Sequence, residues 1–78
     1  MVTVLVIDDE RMIRWSIEQT LRASGYEVVA AETAAEGLAL FRGLHPQVVF
    51  LDLRLPDEDG LGVLKRMKEE GERVRQSS

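Results

Sequence analysis

Hydrophobic and polar positions alternate along this chain at two periods, and the switching between them marks out its elements. Val2 to Ile7 is a run of apolar and β-branched residues, the pattern of a strand buried on both faces. From Arg11 to Ser24 the apolar residues Ile13, Ile17 and Leu21 recur four apart with charges between them, which predicts an amphipathic helix. Trp15 lies off that stripe. Gly25 occupies the position just past a helix end, and Tyr26 to Ala31 reads as a second strand. Thr33 is an expected N-cap for a helix with Ala34, Leu38 and Phe41 on one face, and Glu36 stands where it would complete a capping box. "GLHP" breaks that helix. Val48 to Leu51 predicts a third buried strand, and Gly60 to Glu70 a third helix with Leu61, Leu64 and Met67 turned inward, ended by Gly71.

Strand and helix alternate three times with short connections, which implies parallel strands, helices on both faces and an open α/β sheet. In such sheets ligands sit at the carboxyl ends of the strands. Asp8 and Asp9 follow the first strand directly, and Asp52 follows the third in "VVFLDLRLPDEDG". If those strands are neighbours, three carboxylates converge on one edge. Such a group repels itself and raises its own pKa unless a cation is present. An all-oxygen set without His or Cys suits a hard ion, Mg²⁺ above all. The plainer alternative is that Asp8 and Asp9 merely cap the first helix, worth about 0.5 to 2 kcal/mol. Pro56 and Gly60 are consistent with turn punctuation, and Gly60 also permits a positive φ or close backbone packing. Asp57 and Asp59 invite comparison with a calcium loop. With Gly60 at the sixth position, however, Leu55 and Arg66 would occupy the first and twelfth, where carboxylates are required. His45 has no His or Cys companion and reads as a surface loop residue.

Composition narrows the class. At 78 residues the chain amounts to one domain that buries roughly 60 to 65% of its unfolded surface. The absence of cysteine removes disulfides and thiolate metal sites. A net charge of −4 with both signs interspersed offers no basic footprint for nucleic acid. The opening "MVTVLVIDDE" has no basic leader, and its apolar run is far short of a membrane span; a cytoplasmic protein is expected.

The segments "VLVIDDE" and "VVFLDLRLPDEDGLGVLKRMK", at their spacing, resemble the receiver domains of bacterial two-component response regulators over about residues 2 to 70. "IRWSIEQTL" further resembles the first helix of nitrogen-regulation-type, enhancer-binding activators. The resemblance implies a flavodoxin-like doubly wound sheet in the order 2-1-3, with Asp52 as phosphoryl acceptor. It implies Asp9 as a direct Mg²⁺ ligand, Asp8 as an acid bound through water, and the Arg54 backbone carbonyl as a further ligand. The implied partner is a sensor histidine kinase, and the implied role is that of a signalling module, not an enzyme. An aspartate-nucleophile phosphatase is a weaker fit, because position 54 is Arg where a D-x-D start needs Asp.

Family receivers run to five βα units, whereas three are legible here. Residues 1–71 are read as a truncated receiver and 72–78 as a polar tail, since "EEGERVRQSS" has one apolar residue, Val74. The family's hydroxyl after the fourth strand and Lys after the fifth have no counterpart in this stretch. The alternative function is therefore a phosphorylation-incompetent fragment that binds or dimerises. With the third strand left at the sheet edge, a homodimer through that strand or through the uncovered helical face is expected.

Overall fold

The computed structural model describes residues 1–70 and 75–76. Its elements are β1 (Thr3–Ile7), α1 (Arg11–Ala23), β2 (Glu27–Ala31), α2 (Ala34–Leu44), β3 (Val48–Leu51), α3 (Gly60–Glu69) and β4 (Arg75–Gln76). The strands lie in the order β2-β1-β3-β4, and every pairing is parallel. This is the doubly wound arrangement expected, with β1 central and the order 2-1-3 preserved.

Strand periodicity divides the core in two. Leu5, Ile7, Val49 and Leu51 face α2 and α3, where they meet Ala34, Leu38, Phe41, Val63 and Met67. The alternate residues Val4, Val6 and Val28 face α1 and pack with Ile17, Leu21, Val48 and Phe50. The first side is thick and fully buried; truncating one of its large residues, such as Phe41, would cost about 3 to 5 kcal/mol. The second is thin, because no residue of α1 is fully buried.

Local chemistry sets the element ends. Gly25 has φ +90°, and Gly25 N–H and Tyr26 N–H donate to the Arg22 and Leu21 carbonyls at 3.0 and 3.1 Å, a Schellman closure of α1. At the other end of that helix, Glu10 is the N-cap residue but makes no side-chain cap. α2 runs through Gly43 and Leu44 and stops at His45, whose φ of 49° is left-handed, so "GLHP" breaks the helix at its third residue. Gly37 lets α2 approach the sheet: a Cβ there would come within 2.5 Å of the Ile7 side chain.

Four expectations need correction. Leu61 is 55% exposed and Val63 takes its place inside, because the tight seat of Gly60 against the preceding loop sets the rotation of α3. Ile13 is 47% exposed, since it lies beyond the carboxyl end of the strands that Ile17 and Leu21 cover. The Glu36 carboxylate accepts the Glu32 N–H, one residue before the Thr33 N–H that a capping box would use. Finally, β3 is not a bare edge: Phe50 and Leu51 pair with Arg75 and Gln76 of β4, a strand within the stretch expected to be a polar tail. Backbone ladder bonds need no apolar side chains. Gly71 and Val74 lie outside the described residues.

Candidate functional site

The carboxyl edge of the sheet is built by register. Ile7 stands opposite both Ala31 and Leu51, and the ladder continues one residue further. Asp8 N–H donates to the Ala31 carbonyl at 3.0 Å, and Asp52 N–H donates to the Ile7 carbonyl at 2.8 Å. Asp8 and Asp52 are therefore anchored side by side on adjacent strands. With Asp9 they form a cluster in which each residue offers one carboxylate oxygen within 4.8 Å of the others. The cleft around them, about 890 Å³, is also lined by Glu10, Ile13, Ile17, Leu53 and Arg54. All four residues expected at the site are thus brought to one cleft; Glu10, its other acid, had no distinguishing signal.

Burial differs across the cluster. Asp8 is 6% exposed, Asp52 half-buried and Asp9 exposed. Burial pushes the Asp8 carboxyl above the usual carboxylate range; the N–H of Glu10, donating to Asp8 Oδ1 at 2.8 Å, opposes this, and the charges of Asp52 and Asp9 add to the rise. The Arg14 guanidinium binds beside the cluster without pairing with its carboxylates. Arg14, with its side chain 15% exposed, donates to the Asp8 backbone carbonyl at 2.8 Å and pairs with Glu32 at 3.7 Å. A buried acid with acidic neighbours favours a cation. Three carboxylates with an oxygen each within 4.8 Å of one another form an all-oxygen set of the kind a hard ion such as Mg²⁺ takes together with water.

The loop after β3 is shaped to present Asp52. Arg54 N–H donates to Asp52 Oδ1 at 2.9 Å, which orients the carboxylate. Arg54 and Asp59 bridge in antiparallel fashion, Gly60 N–H reaches the Leu53 carbonyl at 3.1 Å, and Asp59 caps α3 by accepting the Leu61 N–H. Gly60 is required here for close packing, not for a positive φ: a Cβ would lie 2.4 Å from Leu53 Cα and 2.6 Å from the Asp52 carbonyl oxygen. Asp57 has a role that no local pattern signalled. Its two carboxylate oxygens accept the Ala34 and Ala35 N–H groups at 2.8 and 3.0 Å, and these bonds hold its carboxyl below the usual range.

The family model for the response regulator receiver domain matches residues 4–76. A probable transcriptional regulator, ycf27, of Porphyridium aerugineum is 42% identical over 69 residues, covering 88% of this chain and 29% of that protein. The regulatory protein AtoC of Escherichia coli K12 is 35% identical over 65 residues, 83% of this chain and 14% of its own length. Among solved structures, a CheY-like receiver domain protein from Methanospirillum hungatei superposes with a TM-score of 0.93 at 32% identity, covering 97% of this chain and 62% of that one. NtrX from Brucella abortus superposes at 0.90 and 33% identity over 97% of this chain and 18% of its own. The chain spans less than a third of the length of these curated relatives. No helix among the described residues is long and apolar enough to cross a membrane. In sheet order, in the placement of its acids and across nearly its whole length, this chain belongs to the response regulator receiver domain family.

Proposed function

We propose that the protein is the phosphoacceptor module of a two-component signalling system, taking a phosphoryl group on Asp52 from a sensor histidine kinase with Mg²⁺ bound beside it. The observation that carries this reading is the convergence of Asp8, Asp9 and Asp52 within 4.8 Å at the carboxyl edge of a receiver-family sheet. Asp9 and Asp52 would hold the cation directly, Asp8 through water, and the Arg54 carbonyl would complete the protein's share. Bound there, the ion supplies positive charge against which an anionic phosphoryl group can approach a carboxylate. The chain's own contribution is positional. β3 and its ladder bond to Ile7 hold Asp52, the Arg54 N–H orients its carboxylate, and a carboxylate oxygen attacks phosphorus. One P–O bond forms while the donor's P–N bond breaks, its electron pair leaving with the imidazole. The product is an aspartyl phosphate; the protein is the acceptor in this step, not an enzyme, and the setting is cytoplasmic.

A second reading rests on the thin side of the core. Val48 and Phe50 are only partly buried against Val4, Val6 and Val28 on the side that α1 covers through Ile17 and Leu21, which favours association of the 78-residue chain with a second copy through the α1 face.

Incubation with acetyl phosphate and Mg²⁺ tests the first reading. One alkali-labile phosphoryl group is expected by intact mass, absent in Asp52→Asn and strongly reduced in Asp9→Ala. Modification that persists in Asp52→Asn would reject the acceptor assignment.

A further inference from the structure

α2 begins without enough capping groups of its own. Of its first N–H groups, that of Glu36 goes to Thr33 Oγ1 at 3.2 Å and that of Gly37 to the Thr33 carbonyl at 3.0 Å. Those of Ala34 and Ala35 are taken by Asp57, from the loop between β3 and α3. Both carboxylate oxygens are used, one on each N–H, at the positive end of the helix dipole. Asp57 therefore closes a contact between two connections that both lie at the carboxyl edge of the sheet.

The other polar contacts of this loop have a different reach. The Arg54–Asp59 bridge, the Gly60 N–H to the Leu53 carbonyl, and the Arg66 bond to Glu58 at 3.0 Å tie residues 53 to 59 to one another or to α3. They would move with α3 as one body. Among the described residues, the bonds of Asp57 are those that carry the loop across to α2, itself seated on Ile7 through Gly37. Ile7 immediately precedes Asp8 and accepts the N–H of Asp52. Asp57 thus ties the segment beyond Asp52 to the helix that rests on the strand carrying Asp8.

We propose that Asp57 is a positioning residue for the acidic cleft: by bridging to the first turn of α2 it sets the stance of residues 53–55 and so the placement of Asp52 and the Arg54 carbonyl relative to Asp8 and Asp9. This rests on the cleft being the cation site of the proposed function. Groups that orient metal ligands without touching the metal typically change affinity by about 10- to 100-fold when removed.

The test separates positioning from capping. Asp57→Ala, Asp57→Asn and Thr33→Ala each remove a cap from α2, but Thr33 has no bond to the loop. Mn²⁺ affinity is measured by loss of the free-ion electron paramagnetic resonance signal, alongside thermal midpoint and the amide shifts of Asp52 to Arg54. Asp57→Ala is expected to weaken Mn²⁺ binding about tenfold and to move those amide shifts, with Asp57→Asn intermediate. Thr33→Ala should lower the thermal midpoint while leaving affinity and shifts unchanged. Equal effects of Asp57→Ala and Thr33→Ala, or no effect of Asp57→Ala on affinity and shifts, overturn the proposal. If the unaltered chain shows no Mn²⁺ binding that Asp9→Ala removes, the cation reading fails instead. The amide shifts of Asp52 to Arg54 then decide the positioning role alone: unmoved in Asp57→Ala, they reject it.

Discussion

Asp8 is the residue at which burial by the fold opposes the ionised carboxylate that the proposed cation site needs. Burial, opposed by the Glu10 N–H and then reinforced by the Asp52 and Asp9 charges, raises its folded pKa. A raised acid binds more protons folded than unfolded, so its contribution to stability is present below the unfolded pKa and lost as pH rises through the folded value. In the presence of a chelator, Asp8 is therefore expected to lower the thermal midpoint as pH rises from the ordinary carboxylate range through its own raised pKa, and Asp8→Asn should remove that contribution. Mg²⁺ at a hundred times its Kd would return about 2.7 kcal/mol, shrinking the difference. A midpoint that rises steadily over the same range, with Asp8→Asn indistinguishable from the unaltered chain, would show that Asp8 is not strained. Asp57 has the opposite sign. Its folded pKa is lowered by the Ala34 and Ala35 N–H groups, so its contribution is present above the unfolded value and lost as pH falls through the folded one.

At the scale of elements, the β3–α3 connection is held closely against the start of α3, and the two glycines of that helix's first turn, Gly60 and Gly62, make a paired test. In Gly60→Ala the new methyl meets the backbone of Asp52 and Leu53, at 2.4 Å from Leu53 Cα, and backbone cannot yield as a side-chain end can. Destabilisation of about 3 kcal/mol is expected by urea unfolding, with acetyl phosphate labelling of Asp52 lost in the same variant. Gly62→Ala, two residues on, places its methyl 3.6 Å from Glu58 Oε1, an ordinary contact. Helix propensity should then prevail and stabilise by about 0.5 to 1 kcal/mol. Equal responses of the two would mean that the close approach at Gly60 is not what shapes the loop.

For the whole molecule, the two sides of the sheet differ in how well they are covered. α2 and α3 together bury Leu5, Ile7, Val49 and Leu51, whereas α1 alone leaves Val48 and Phe50 partly exposed. β4 pairs with Phe50 and Leu51, so strand-to-strand association through β3 would be confined to Val48 and Val49. Burial of exposed apolar area, at about 25 cal/mol per Å², favours the α1 face instead. Sedimentation of the 78-residue chain at about 50 micromolar is expected to show dimer or larger species, shifted toward monomer by Val48→Lys. A charge at Val49 would not serve, because its side chain is in the main core and fully buried. A monodisperse, cooperatively folding monomer of the unaltered chain would show that the thin side suffices.

Much of this architecture was legible without coordinates because it rests on short-range regularities. Apolar runs placed β1, β2 and β3, apolar spacings of three and four placed α1 and α2, and Gly25 marked a Schellman closure, each within a residue or two of the observed bounds. The positions of Asp8, Asp9 and Asp52 at strand ends followed from the same runs. Their proximity did not, since it depends on β3 lying beside β1 in a register that sets Leu51 opposite Ile7. Likewise the phase of α3, which buries Val63 and turns Leu61 outward, was decided by the fit of Gly60 against the loop. β4 lacks an apolar run and exists as a strand through backbone pairing with β3. Asp57 is the clearest case: its neighbours in the chain suggest a turn, while its partners lie 22 and 23 residues upstream. Periodicity records which side of an element must be buried; which elements meet, and in what register, is settled by packing and hydrogen bonding between residues distant along the chain.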